Sequence, residues 1–274
     1  MPQVSIFFSR IVSKPQMTMF QVLSRFENNI KEVLNPDKTV TRYGRTWRLS
    51  QPKIYEDNFF VGKLGYISSG TEKRTDYDEE KKDFIELSID SRQVHYVRWV
   101  IDLSTHLIAF ETKPPDIEYQ SFVGAMKLIL YARPDIGLTI EGIIEPAKFF
   151  EWVEDIEIVT KFTASLRAPN PNYENRPKVI QQLLRDTNAD FAKLEVSKEK
   201  GSMETLDTDK TIREVVTYGE EGYATIVAHG LKNGDQKLFN SKRKIPVQRI
   251  DIPAPATADK IWHYIIEALR KFKP

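Results

Sequence analysis

Two stretches of clustered lysine and arginine are the residues of this sequence best suited to binding a charged ligand. The first, residues 38–53, has no acidic residue and contains Lys38, Arg42, Tyr43, Arg45, Trp47, Arg48 and Lys53. The second, residues 232–249, has a single acidic residue, Asp235, and contains Lys232, Lys237, Lys242, Arg243, Lys244 and Arg249. Lysine and arginine contact the phosphates of nucleic acids, and neighbouring aromatic rings can stack on the bases.

We predict a nucleic-acid-binding surface from these two stretches. The predicted phosphate contacts are Arg42, Arg45, Arg48, Lys237, Lys242, Arg243, Lys244 and Arg249, and the predicted stacking residues are Tyr43 and Trp47. An alternative for each stretch is an exposed strand edge that its charges keep soluble, and either aromatic ring could instead lie in the core. The formal net charge is only +1, from 40 basic and 39 acidic residues, so any contact with nucleic acid has to be local.

The sequence lacks the residues that several common kinds of catalytic and metal sites need. There is no cysteine, which excludes disulfides, thiolate nucleophiles, iron–sulfur clusters and cysteine-type zinc sites. The four histidines form no H-E-x-x-H motif, and the twelve glycines form no phosphate-binding loop. We therefore predict no metal, no cofactor and no catalytic centre. One alternative stays open, an active site that assembles from scattered carboxylates such as Glu141 with Asp155 or Glu157.

The order of apolar and polar residues predicts a mixed α+β fold with mainly antiparallel sheets and flanking helices. Strict alternation over residues 156–166 predicts a long strand, and two apolar runs within residues 94–112 predict a hairpin. Asn233-Gly234, between two further runs, is a strong hairpin signal. Apolar residues every three or four positions predict helices, among them residues 116–132 and 256–272.

Polar composition suggests where the chain is exposed and where it divides. The charged run of residues 69–83 predicts a surface loop. Pro114-Pro115 breaks the pattern, so we divide the chain into an N-terminal lobe, residues 1–115, and a C-terminal lobe, residues 116–274; Glu145-Pro146 is the alternative boundary, and the two lobes can also pack as one compact unit.

The second half of the chain resembles an uncharacterised family of bacterial proteins that carries a domain of unknown function. The resemblance rests on the strand ending "SLRAPNPN", on "LLRDTNAD", on the loop "KLEVSKEKGSMETLD" and on "EEGYATIVAHGLKNGDQKLFNSKRK". This family implies no catalytic residues. In length and order of elements the chain is also distantly similar to the phage exclusion protein RexA and related antiphage DNA-binding proteins, which implies a dimer that contacts duplex DNA without a catalytic centre.

Together these features predict a non-catalytic, prophage- or defence-associated protein that binds nucleic acid, preferably duplex DNA, as a homo-oligomer. The alternative is a protein-interaction subunit whose partner is encoded by a neighbouring gene, with Trp262, Tyr264 and Phe272 at the interface. The sequence contains no run of about 18 apolar residues that could span a membrane, and we expect a cytoplasmic protein.

Overall fold

In the computed structural model, the chain forms two antiparallel β-sheets with helices packed against them. The structure describes residues 3–13, 19–56, 58–78, 82–133, 136–143, 145–168, 182, 184, 186–187, 189, 191–204, 206–243, 245–253 and 257–272. The predicted α+β class with antiparallel sheets is confirmed.

The first sheet contains strands from both ends of the chain. Its strands are β1 (Gln3–Ser13), β2 (Thr39–Arg42), β3 (Arg45–Tyr55), β4 (Phe59–Asp78), β5 (Asp83–Asp102), β6 (Leu107–Glu111), β7 (Leu138–Gly142) and β12 (Val247–Asp251). They are ordered β12-β1-β6-β5-β4-β3-β2, and β7 pairs with a further part of β1. β2 and β12 therefore lie at opposite edges of this sheet.

The second sheet is smaller and lies entirely in the C-terminal half. Its strands are β8 (Ile158–Arg167), β9 (Phe191–Ser197), β10 (Ala224–Lys232) and β11 (Asp235–Asn240), in the order β11-β10-β8-β9. Asn233 and Gly234 both have positive φ angles in the β10–β11 turn, as their types favour, and the predicted hairpin is confirmed.

Helices cover the sheet faces. They are α1 (Met19–Val33), α2 (Tyr119–Tyr131), α3 (Pro146–Asp155), α4 (Lys210–Glu220) and α5 (Ala258–Lys271), and a short 3-10 turn spans Ser241–Arg243. The carboxylate of Asp209 caps α4 by accepting from the Ile212 amide at 3.0 Å.

Alternation along the strands decides which helix covers which face of the first sheet. Trp99 in β5 and Phe110 in β6 point to the face that α1 and α2 cover, where Phe110 stacks on Phe122 with ring centroids 3.8 Å apart. Val100 in β5 points to the opposite face, where it packs in a second cluster with Trp262 of α5. α5 packs on β1, β5, β6 and β12, and it also reaches Lys53 of β3 through Asp259 and the Gly62 carbonyl of β4 through Trp262. Further along β3, β4 and β5 the same face carries the exposed side chains of Arg48, Ile67 and Val94.

β4 and β5 extend past their neighbours as a two-stranded arm. They pair from Phe59 with Asp102 to Asp78 with Asp83, whereas β3 pairs with β4 only as far as Tyr66. The surface loop predicted over residues 69–83 is therefore wrong for its described part, which continues the two strands. An antiparallel ribbon satisfies its backbone hydrogen bonds by self-pairing, so it needs no alternating apolar pattern to form.

The two sheets do not divide the chain at residue 115. β7, β12 and α5 come from the C-terminal half, yet they belong to or pack on the first sheet. A buried ion pair also joins Arg10 of β1 to Glu221, which follows α4, with nitrogen and oxygen 2.6 Å apart. Among the described residues, no helix has both the length and the apolar character to cross a membrane.

Candidate nucleic-acid interface

The first basic stretch forms the β2–β3 hairpin, and alternation sends its side chains to different faces. Tyr43 and Gly44 both have positive φ angles in the two-residue turn, and the Tyr43 ring is 78% exposed. The Arg42 guanidinium lies over this ring, 4.7 Å from its centroid, and also packs on α2 where Gly124 leaves room for it. Tyr43 is thus available for stacking, whereas Arg42 is committed in part to packing.

Arg45 and Trp47 point towards the face that α2 covers. Arg45 donates to the backbone carbonyl of Asp116 at 3.0 Å and lies over the Tyr66 ring at 4.5 Å. Trp47 is only 1% exposed and belongs to the core beneath α2. Its ring is not available to stack on a base, so the predicted stacking role of Trp47 is corrected to that of a core residue.

Arg48 is exposed on the opposite face of β3. It pairs directly with Gly65 of β4, which pairs in turn with Tyr96 of β5. Residues directly opposite one another in adjacent strands share a face, so Arg48 and Tyr96 lie on the same side of the sheet. An added Cβ at Gly65 would lie 2.7 Å from Tyr96 Cβ, so only glycine accommodates the tyrosine there.

Three further cations surround Tyr96 on this side. Lys63 Nζ, Arg98 Cζ and Lys113 Nζ lie 5.1, 5.4 and 4.4 Å from the centroid of its ring. Lys113 also donates to the Tyr96 backbone carbonyl at 2.9 Å. We call Arg48, Lys63, Tyr96, Arg98 and Lys113 the open face.

One buried carboxylate organises the open face without neutralising it. Glu111 is 1% exposed and accepts from both the backbone amide and the guanidinium of Arg98, at 2.8 and 2.9 Å. Its oxygen also lies 3.7 Å from Lys113 Nζ. Four cations against this single carboxylate leave a net charge of +3, and Arg98 serves mainly to balance Glu111. Arg48, Lys63 and Lys113 remain for a ligand.

Two exposed apolar residues lie between the open face and the arm. Ile67 and Val94 lie directly opposite each other in β4 and β5, on the same side as Tyr96, and are 45% and 66% exposed. A ligand on this face therefore meets cations, then an aromatic ring, then an apolar surface.

The second basic stretch does not join the first. Lys237 is exposed on β11 of the second sheet and pairs with Asp235 at 3.4 Å, whereas Arg249 is exposed on β12. In the first sheet β12 is separated from β3 by β1, β6, β5 and β4, a distance of about 24 Å at the usual strand spacing. Lys242 is exposed after β11, Arg243 lies in the 3-10 turn, and Lys244 lies outside the described residues.

The residues considered for the two alternative functions are also accounted for. Trp262 is buried, and the Phe272 ring stacks on the Phe8 ring with centroids 4.2 Å apart, so these two aromatic rings pack into the core. Tyr264, the third residue of the predicted interface, is half-buried.

The candidate carboxylates do not converge either. Asp155 pairs with Lys232, and Glu157 accepts from the Asn233 amide at 3.3 Å, both next to the start of β8. Glu141 pairs with Arg167 at the end of β8, about 30 Å away along the ten-residue strand. Across the part of the chain that the structure describes, no group of three histidine or carboxylate side chains is placed to hold a metal ion.

Lys63, Tyr96, Arg98 and Lys113 were missed from the sequence because they come from three separate segments. One signal was present: Val94, Tyr96 and Arg98 alternate with His95, Val97 and Trp99 in the predicted hairpin. That alternation indicates one buried and one exposed face of β5, but it does not say which strands lie beside it.

Comparison with known proteins gives a family and no activity. The chain matches the family described as Domain of unknown function (DUF4747) over residues 22–270, and no curated protein matches it. The matched span includes every residue of the open face. Because the match covers most of the chain, this protein belongs to the DUF4747 family.

Proposed function

We propose that the protein binds nucleic acid through the open face. The observation that carries the proposal is the convergence of three cations, Lys63, Arg98 and Lys113, around Tyr96, with the exposed Arg48 on the same face of the sheet. Phosphates are the partners that Arg48, Lys63 and Lys113 suit best, because Glu111 offsets only one positive charge.

The open face is better suited to the unstacked bases of a single strand than to a duplex. Tyr96 has a ring in the middle of the cations, and Ile67 with Val94 offers an apolar surface beside it. Sheets that bind single strands commonly place aromatic rings in their central strands, with basic residues around them, and this comparison is one of architecture alone. The duplex DNA that the sequence favoured remains a second substrate for the same assay.

A non-catalytic role in prophage or defence biology, as a homodimer, completes the proposal. Its support is the resemblance in element order to the phage exclusion protein RexA. Sedimentation equilibrium of the purified chain tests the dimer directly, and a monomer at all concentrations would contradict it.

The competing function is a protein-interaction subunit that does not bind nucleic acid. The exposed apolar pair Ile67 and Val94 favours it, because apolar side chains at the edge of a polar face also suit a protein partner. Co-purification with the product of a neighbouring gene, lost in Val94→Ser, is the expected result on this alternative.

The decisive experiment measures binding of labelled single-stranded and duplex DNA across a salt series. With Arg48, Lys63 and Lys113 as contacts, we expect the logarithm of the binding constant for a single strand to fall with the logarithm of salt at a slope of about −2. Arg48→Gln and Lys63→Gln should each make this slope shallower by about 0.7. Tyr96→Leu should weaken binding of the single strand by about tenfold at any salt concentration.

Arg249→Gln is the matched control, because Arg249 is also an exposed strand arginine but lies on the far edge of the same sheet. It should bind as the unmodified protein does. If it weakens binding as much as Arg48→Gln, or if no DNA binds even at low salt, the open face is not a nucleic-acid interface.

A further inference from the structure

A polar cleft lies where the first sheet meets the second. Its volume is about 230 Å³, and it is formed by α2, β7, β8, β9, the start of β10 and the 3-10 turn. None of the strands that carry the open face contributes to it. Its charged lining residues are Lys127, Glu141, Arg167 and Lys242.

The cleft carries more positive charge than its one carboxylate balances. Lys127 Nζ and an Arg167 guanidinium nitrogen lie 3.5 and 3.2 Å from the same oxygen of Glu141, and Lys242 is exposed at the rim. Glu141 is the single acidic residue among the lining residues that the structure describes, so the lining has a net charge of +2. The Glu141 side chain is 14% exposed, whereas those of Lys127 and Arg167 are 44% and 42% exposed. The carboxylate therefore holds the two cations from behind and leaves them open to a ligand.

Hydrogen bonds on both sides hold the backbone of Arg167 in place. Its backbone amide donates to the Tyr223 carbonyl at 2.8 Å, and its carbonyl accepts from the Tyr218 hydroxyl. Beside it, Ser165 of β8 pairs directly with Thr225 of β10, and both residues line the cleft with their hydroxyl-bearing side chains. A guanidinium paired with Glu141 and neutral hydroxyl groups in one cleft suit a tetrahedral oxyanion, because arginine presents its donors in a rigid fork.

An exposed aromatic ring stands at the rim of the cleft. Phe191, the first residue of β9, is 59% exposed and belongs to the lining. The cleft is smaller than a pocket for a drug-sized ligand, which is about 300 Å³ or more, so it can enclose a phosphate while an attached ring stays outside. A planar base can stack on Phe191 in that position.

We propose that this cleft binds the phosphomonoester group of a nucleotide, with Arg167, Lys127 and Lys242 at the phosphate and Phe191 against the base. A phosphomonoester carries a charge of about −1.5 to −2 at neutral pH, which matches the net charge of the lining. The nucleotide can be free, or it can be the phosphorylated end of a strand. The proposal stands independently of the open face.

The test is isothermal titration calorimetry at low salt with inorganic phosphate, adenosine 5′-monophosphate and adenosine. We expect both phosphates to bind, the nucleotide more tightly, and adenosine to give no signal. Lys242→Gln and Arg167→Gln should each weaken binding of the nucleotide by about tenfold, because each removes a charged donor. Phe191→Ala should weaken binding of the nucleotide and leave inorganic phosphate unchanged.

Lys237→Gln is the matched control for Lys242→Gln, since Lys237 is an exposed lysine of β11 outside the cleft lining, and it should bind the nucleotide normally. If Arg167→Gln fails to give the far-ultraviolet circular dichroism of the folded chain, Lys242→Gln decides the result, because its side chain is exposed. The Lys63→Gln variant of the open face should keep nucleotide binding, which separates this proposal from the nucleic-acid interface.

Two further titrations identify the source of the phosphate. An oligonucleotide with a 5′-phosphate that binds more tightly than both its 5′-hydroxyl form and the mononucleotide indicates a strand end, and equal binding of the two oligonucleotides alongside a tight mononucleotide indicates a free nucleotide. The proposal is overturned if neither phosphate nor nucleotide binds at about 10 mM, a concentration that would reveal even millimolar affinity. Binding of adenosine as tight as that of the nucleotide, or unchanged binding by Arg167→Gln and Lys242→Gln, also overturns it.

Discussion

Protonation of the buried His106 should destabilise the folded protein at acidic pH, and substitution of His106 should remove this effect. It lies between β5 and β6 with a φ angle of 60°, and its buried ring stacks on Phe26 with centroids 3.6 Å apart. The pKa of His106 is lowered from 6.5 to about 4, chiefly by burial and in addition by the nearby charge of Arg10, while the charge of Asp102 opposes the change. The folded protein therefore holds this imidazole neutral at pH values where an unfolded chain would protonate it.

The sign and size of the effect follow from the two pKa values. Above about pH 6.5 the ring is neutral in both states, and its full contribution to stability is present. As the pH falls below this value only the unfolded chain takes up the proton, so the free energy of unfolding falls. The loss ends near pH 4, where the folded state is protonated too. Between these limits His106 should cost about 3 kcal/mol of the free energy of unfolding.

The assay is urea unfolding of the wild-type chain and of His106→Asn, repeated from about pH 7 to about pH 4. Asparagine tolerates a positive φ angle and does not titrate in this range. At neutral pH the variant should be less stable by about 1 kcal/mol, because it lacks the contact with Phe26. Its stability should then fall on acidification by about 3 kcal/mol less than that of the wild type.

The matched control is Phe26→Leu, which removes the same ring contact and keeps the imidazole of His106. It should still lose stability on acidification between the same pH limits. If His106→Asn loses as much stability as the wild type between the same pH limits, the account of His106 as a buried neutral group is refuted.

Three further substitutions test the architecture that positions the two proposed sites. Arg10→Met leaves the carboxylate of Glu221 buried without its partner, and it should lower the free energy of unfolding by about 3 kcal/mol in urea; an unchanged value would show that the pair does not join the sheets. Gly62→Ala places a Cβ 2.9 Å from Cε2 of the buried Trp99, so thermal unfolding should show a loss of about 1–3 kcal/mol, and unaltered stability would contradict this packing. Replacing residues 70–91 by Asn-Gly should change the melting temperature by less than about 3 °C, because the described strand residues of the arm pair only with each other, and an unfolded product would show that the arm belongs to the core.

Local patterns in the sequence were enough for the class of fold and for several of its elements. Two apolar runs within residues 94–112 predicted the β5–β6 hairpin, and Asn233-Gly234 predicted the β10–β11 turn, because both signals depend on neighbours along the chain. The arm was misjudged for the complementary reason. The part of it that was predicted as a loop, residues 69–83, is polar, and a ribbon held by backbone hydrogen bonds does not need an apolar pattern to form.

Tertiary structure decided which of the basic residues share a surface. Alternation in β3 separates Arg48 from Arg45 and Trp47, which face the core side. Strand order then moves Arg249 to the far edge of the sheet. These assignments depend on pairing between strands distant in the chain, and the spacing of residues in the sequence does not record that pairing.

The two proposed sites also depend on strand pairing that the sequence does not record. Tyr96 acquires its cations from β4, β5 and the segment after β6, and Arg167 meets Glu141 only because β7 joins the first sheet near the end of β8. The residue types that bind phosphate were visible in the sequence from the start. Which of them converge was decided by sheet order and register, because a site forms from side chains that the folded backbone brings together and not from those adjacent along the chain.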